Sequence, residues 1–447
     1  MEFDLVIKGD LVLPGAVQEN GWVAAQDGQI VAIGQGEAPD ARTTEDHTGC
    51  YVFPGVVDGQ THAGSIAGFA GLEDLSRSAI AGGVTTIVDM PFDEPDPVWS
   101  RDLLDAKIET ANAVAYCDVA LYGSVKKKVE VDQIAALADG GVCAFKMSTY
   151  EANPHRFPRI PHHEMARAFS AIAETGLTVA VHNEDQEVVD DAIARFKEAK
   201  QMGANVHHPS RPPLAELLAN AAILEMGAQT GARAHIVHSS LARGFDMARN
   251  YREQGFQATC ETCIHYLVFD ESDVLERGAR GKVNPPIRPD QREAIWDRLA
   301  AGDVTFVSSD HCSWPLERKP DDNIFQAAPG APGVECLLPA MLTAVAERGH
   351  APTMVAEMLC EAPARHFGLW PRKGALRVGA DADVVVVGRQ VYRHDDATLH
   401  CHMAPWSPYD GMEMAGRVMK VWLRGKEAFS GGDVLAAPGD GSFVRPV

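Results

Sequence analysis

From about residue 53 to residue 310, short apolar segments rich in Val, Ile and Thr alternate with segments of helical periodicity. The strand-like stretches are Phe53–Asp58, Thr85–Met90, Asp118–Gly123, Cys143–Met147, Thr178–Asn183, His235–Ser239, Gln257–Glu261 and Thr305–Asp310. Between them lie helical stretches such as Leu72–Ala81, Arg101–Ala113, Met165–Glu174, Leu214–Gln229 and Arg292–Ala300. This alternation demands a parallel sheet, because parallel neighbours need a long crossover and a helix supplies one. Eight such units in roughly 300 residues fit a (β/α)8 TIM barrel better than an open sheet. An open doubly wound sheet would carry a Gly-rich phosphate loop after its first strand, and none is present.

The two ends have a different texture. Asp4–Lys8, Leu11–Leu13, Trp22–Ala25 and Ile30–Ile33 read as short strands broken by Gly9-Asp10, Pro14-Gly15 and Asp27-Gly28. Strand-like segments return at Asp383–Val387 and Arg417–Leu423. A chain of 447 residues exceeds what one core holds, so residues 1–52 and 370–447 are expected to form a small β-sandwich beside a barrel of residues 53–369.

A net charge of −22 argues against nucleic acid and anionic membranes as partners, since both select basic faces. No apolar run approaches the roughly 18 residues of a membrane span, and Met1–Asp10 lacks a signal-peptide pattern, so a cytoplasmic enzyme is expected. The nine cysteines are scattered through apolar segments, as reduced thiols are. Cys260 and Cys263 form one C-x-x-C with no second pair to complete a thiolate zinc site, and read as a strand and its turn.

Chemistry enters at the strand ends. His62, Lys146, His182, His238 and Asp310 each fall at or just beyond the C-terminal end of an expected strand, where barrels build active sites. A single histidine there is usually a hydrogen-bonded core residue, but five metal-capable groups on five strands point to one site. Amide hydrolysis would use such a set, because a divalent metal lowers the pKa of bound water to about 7 and polarises a carbonyl. A lysine serves as a ligand only once CO2 has turned its amine into a carbamate, and Lys146 in the apolar run Cys143–Met147 is placed for that. The other reading of Lys146 is a snorkelling or ion-paired lysine.

Ten segments in order resemble the cyclic amidohydrolases, which include allantoinase, hydantoinase, dihydropyrimidinase and dihydroorotase. They are PGVVDGQTH (54–62), AGGVTTIVDMP (81–91), FKMSTY (145–150), VHNED (181–185), VHSSLARG (237–244), ETCIHYLVF (261–269), VNPPIR (283–288), SSDH (308–311), PGVECLLP (332–339) and SPYDGMEMAGRV (407–418). The resemblance implies a ring-opening hydrolase of a cyclic ureide, hydantoin, imide or lactam, using zinc, with manganese or cobalt as alternatives. It implies one or two metals per chain held by His62, carboxylated Lys146, His182, His238 and Asp310. Asp310 is also the expected proton shuttle. Asn284, Pro332 and Gly333 resemble segments that hold the substrate ring, and Tyr150 resembles an oxyanion-stabilising tyrosine, though one residue closer to the lysine than in hydantoinases. A homo-dimer or homo-tetramer is expected by the same resemblance.

Two departures matter. The family's H-x-H pair reads Gln60-Thr61-His62, and a carboxamide is a weaker zinc ligand than imidazole. Two unequal metals, one metal, or a non-catalytic scaffold or binding subunit all follow from that change. An amidohydrolase-type deaminase is disfavoured by the intact Lys146 segment. The second departure is that Ala63–Phe69 lacks the arginine with which dihydroorotases grip a carboxylate, so that substrate is not expected. Arg156 and Arg159, in the loop beyond Lys146, are the nearest candidates for meeting an acidic substituent.

Overall fold

The computed structural model describes residues 3–447. Its central sheet has seven parallel strands in sequence order: Val56–Thr61, Val84–Asp89, Asp118–Ser124, Ala144–Ser148, Thr178–His182, Arg233–Ile236 and Ala258–Cys260. The seventh continues as Thr262–Cys263, which pairs with the eighth, Val307–Ser308. Thr305 N–H donates to Cys260 O and His62 N–H donates to His311 O, both at 2.9 Å, and Thr61 bridges His311. The eighth strand thus touches both the seventh and the first, and the (β/α)8 barrel closes. The first five strands are buried along their whole length on both faces, which is why they read as continuous apolar runs rather than alternating ones.

Local chemistry fixes where the chain turns above the barrel. Asp185 accepts hydrogen bonds from the N–H groups of Glu187 and Val188 at 3.1 and 3.0 Å, capping the helix Gln186–Glu198. That cap sits three residues after His182, just beyond the end of the fifth strand.

Phe53–Asp58 is not one strand. Phe53 and Pro54 end a strand of the terminal sheet, Ala41–Pro54, and the barrel begins at Val56. Gly55 is the crossing point. Its N–H donates to Asp383 O at 2.9 Å, and a Cβ there would lie 2.0 Å from Thr85 Oγ1, so only glycine permits the approach. Likewise Asp4–Lys8 and Leu11–Leu13 are one strand, Phe3–Leu13, with a bulge at Gly9–Asp10. The stretch 41–52 of that strand has no counterpart in the sequence reading, because its polar, exposed or half-covered residues up to Tyr51 lack a strand's apolar face.

Both termini build one eight-stranded sheet, with Val384–Arg393, Glu413–Leu423, Lys426–Ser430 and Asp433–Val434 joining the N-terminal strands. The sheet curls back on itself. Ile30 N–H donates to Ala380 O at 2.8 Å, and Leu5, Val23, Ile30, Val386 and Trp422 share one buried core. The last residues leave this sheet and pair with the third barrel strand, where Val119 N–H donates to Ser442 O and Val444 N–H to Val119 O, both at 2.9 Å. Val444 packs with Val57, Val88 and Ala120 in the barrel floor.

A buried ionic lock joins the sheet to the barrel. The carboxylates of Asp118, Asp381 and Asp383 lie within 4.8 Å of one another. Such a group could hold a metal, but Lys373 Nζ already sits among them, 2.9 Å from Asp381 and Asp383 and bonded to Asp118. Arg372 and Arg424 pair with Asp381 and Asp118. Three acids are met by three bases, and no further cation is required. Lys373→Met is expected to leave this buried negative charge uncompensated and cost about 3–5 kcal/mol of stability. Chemical denaturation read by circular dichroism checks it, and an unchanged midpoint would show that the lock is dispensable.

Candidate active site

His62, Lys146, His182, His238 and Asp310 line one cavity of about 540 Å³ at the C-terminal end of the barrel, a size suited to a small molecule. Two pairs of donor atoms face one another there. His182 Nδ1 lies 3.0 Å from His238 Nε2, and His62 Nε2 lies 3.2 Å from Asp310 Oδ1. Lys146 is buried and has no carboxylate within ion-pair distance among the described residues.

The nitrogen that each imidazole presents is set by its neighbours. His182 Nε2 is 2.9 Å from Glu184 Oε2, and the same carboxylate takes the Arg211 guanidinium. Donating Nε2–H to Glu184 leaves Nδ1 with its lone pair toward His238. His238 Nδ1 has no protein partner. Burial holds both imidazoles below the usual histidine range, hence neutral, which is the metal-binding form. His238 and Asp310 also sit at positive φ, 39° and 50°, a region that non-glycine residues rarely adopt.

Burial pushes the Lys146 amine down to about 8 against the pull of Asp310 and Glu261. Neighbouring acids are themselves weakened, since burial pushes Asp58 up to about 7 and Glu261 well above the carboxylate range. Asp310 differs. Burial opposes its charge, but the hydrogen bond with His62 and the polar groups around it outweigh that and hold the carboxyl low. The cavity therefore holds an anionic carboxylate, neutral imidazoles at His182 and His238, and an amine that gives up its proton more readily than a free lysine. These donors could hold a divalent metal, with Lys146 supplying an anionic ligand only as its carbamate.

Gln60 is fully buried. Its Nε2 donates to Asp310 Oδ1 at 2.8 Å, while Oε1 has no partner. Tyr150 and Asn284 line the cavity. The Arg211 guanidinium lies 4.5 Å above the Tyr150 ring, and Asn284 Oδ1 is unpartnered. Pro332 and Gly333 border a separate narrow cleft with His265 and Tyr409, and the Gly333 N–H is taken by His311 Nδ1 at 3.1 Å. Gly330 is the part of that loop on the main cavity.

Four residues important to the cavity escaped the sequence reading: Glu184, Arg211, Phe92 and Phe157. A carboxylate two residues beyond a strand-ending histidine was a usable signal for Glu184, since alternate residues share a face. Arg211 comes from a loop distant in sequence and gave none. Phe92 and Phe157 meet edge to face with centroids 3.9 Å apart, and Phe157 lies 5.7 Å from the His182 ring.

Residues 51–428 match the amidohydrolase family. An allantoinase of Rubrobacter xylanophilus is 35% identical over 451 residues, covering 99% of this chain and 98% of the relative. The chain belongs to the amidohydrolase family. An L-hydantoinase of Paenarthrobacter aurescens is 29% identical over 99% of this chain and 98% of its own length. The solved structure of an L-hydantoinase from Arthrobacter aurescens superposes with a TM-score of 0.94 at 29% identity, covering 99% of this chain and all of that one. No helix among the described residues is long and apolar enough to cross a membrane.

For an amidohydrolase, Gln60 makes an uneven metal site the expected outcome. The His182–His238 side offers two imidazoles, whereas the His62–Asp310 side offers one imidazole, a carboxylate and a carboxamide that is already engaged with that carboxylate. Gln60→His is expected to raise metal content toward two per chain, measured by elemental analysis after mild chelation. Two zinc ions per wild-type chain that resist the chelator would overturn the inequality.

Proposed function

We propose that this chain is a metal-dependent hydrolase that opens a ring by cleaving the C–N bond of a cyclic ureide, hydantoin, imide or lactam. The carrying observation is the convergence of the His182–His238 pair, the His62–Asp310 pair and the buried Lys146 in one cavity. Relatives named allantoinase and L-hydantoinase support a cyclic amide as substrate.

A divalent metal, zinc with manganese or cobalt as alternatives, supplies a water acidic enough to attack at neutral pH and polarises the carbonyl. His62, Lys146, His182, His238 and Asp310 would hold it, as one ion or two. Lys146 takes part after its neutral amine adds CO2. One N–C bond forms, one proton leaves the nitrogen, and a carbamate with two oxygens remains. Its dry position favours the neutral amine that this addition needs. Asp310, kept anionic, accepts a proton from the attacking water on a carboxylate oxygen and returns it to the departing ring nitrogen. Tyr150 donates its hydroxyl proton toward the developing oxyanion. Asn284 offers its unpartnered Oδ1 to a ring N–H, with Gly330 rather than Pro332 or Gly333 as the nearest part of the opposite loop.

Purified protein assayed with zinc, manganese or cobalt against hydantoins, dihydropyrimidines, allantoin, cyclic imides and lactams tests this reading. Ring opening lost on chelation and restored by metal supports it, and no turnover of any ring by metal-loaded protein overturns it. Asp310→Asn is expected to lower kcat at least about a hundredfold with an unchanged circular dichroism spectrum. Near-wild-type turnover in that variant would remove Asp310 from proton transfer.

A further inference from the structure

The protein carries a net charge of −22, yet five cations besides Lys146 line the cavity: Arg156, Lys197, Arg211, Lys282 and Arg318. Two are committed elsewhere: Arg211 is paired with Glu184, and Lys282 Nζ donates to Ile324 O and Ala327 O at 2.6 and 2.5 Å. Lys197 and Arg318 lie over Phe325 and Trp314. Those two side chains are not held by any hydrogen bond or ion pair among the described residues, whereas Arg156 is fixed in place, on the loop whose Phe157 meets the His182 ring.

Its backbone is fixed first. Asn153 Oδ1 accepts from the N–H groups of His155 and Arg156 at 3.0 and 2.9 Å, and Phe157 N–H donates to Asn153 O at 2.9 Å, closing a tight loop. The guanidinium is then held from two sides. Nη1 donates to Ser65 O at 2.9 Å and to Phe92 O at 3.4 Å, while Nε meets Glu94 Oε1 at 3.0 Å. Nη2 has no protein partner among the described residues. The Glu94 side chain is 45% exposed, so its pairing is screened by water and only partly offsets the charge. Phe157, the next residue, carries the cavity wall from Arg156 to His182. Arg159 is absent from the cavity lining, so the two loop arginines are not equivalent.

We propose that Arg156 is a specificity-determining residue that receives an anionic substituent, so the preferred substrate is a cyclic ureide or imide whose ring bears a carboxylate side chain. This inference rests on the ring-opening reading above. A pre-positioned guanidinium offers a carboxylate directional, charge-assisted hydrogen bonds at little ordering cost. Carrying that cation inside an otherwise acidic protein also focuses anions at the cavity.

Three probes separate the possibilities: hydantoin-5-acetic acid, its neutral amide hydantoin-5-acetamide, and unsubstituted hydantoin, each with the metal-loaded enzyme. Wild-type kcat/KM is expected to favour the acid over the amide by about tenfold or more, mainly through KM. Arg156→Met should erase that ratio, whereas Glu94→Gln, which removes the competing acid at the surface, should increase it. The ratio is internal to each preparation, so a general loss of folded protein does not mimic the effect. Hydrolysis of the neutral probes with no preference for the acid in wild type would overturn the role of Arg156 and leave the ring-opening reading standing. Failure of all three probes, together with the wider ring panel, would overturn both. An acid preference that survives Arg156→Met and ignores Glu94→Gln would also overturn the assignment to Arg156.

Discussion

The catalytic end of this barrel depends on keeping an amine dry. Lys146 stands in the fourth strand with Phe145 and Met147 buried on either side of it, and no acid comes close enough to stabilise its ammonium as an ion pair. Burial also limits the water that could stabilise that charge. The surrounding acids respond to the same dryness, with Asp58 and Glu261 pushed toward their neutral forms. One carboxylate escapes. Asp310 keeps its charge because His62 and Gln60 are hydrogen-bonded to it. Desolvation and hydrogen bonding together thus separate a weakened lysine, neutral imidazoles at His182 and His238, and one persistent anion.

Rigidity around these groups comes from contacts that do no chemistry. Glu184 selects the nitrogen that His182 presents, and Arg211 holds Glu184 while covering Tyr150. The positive φ angles of His238 and Asp310 put strain where the strands end, and a closed barrel with its floor sealed by Val444 can sustain it. The lock around Lys373 acts at the opposite end, binding the terminal sheet to the third strand. Loops at that end of the barrel can then vary without disturbing the strand ends, and the loop that carries Arg156 is one of them.

The legibility of the chain follows from how local each cause is. Strands and helices of the barrel were readable because burial on both faces writes itself as continuous apolar runs, and the helix Arg292–Ala300 matches its expected limits. The crossing at Gly55 was not readable, since the need for glycine comes from Thr85 and Asp383 approaching it. The stretch 41–52 of the strand Ala41–Pro54 was missed for the complementary reason: it is held by pairing with Phe3–Leu13 and Val384–Arg393 rather than by a buried face of its own.

For the site, residue type and position relative to strand ends sufficed to single out His62, Lys146, His182, His238 and Asp310, because a barrel gathers strand ends whatever its loops do. Sequence alone also showed that Gln60 stands where a histidine was expected. Only the tertiary structure decided that its amide is spent on Asp310, that Arg156 faces the cavity while Arg159 does not, and that Gly333 turns away toward His311. Those outcomes depend on which groups from distant segments meet inside the barrel. Hydrogen bonds and burial between such segments are set by packing in three dimensions, which spacing along the chain does not encode.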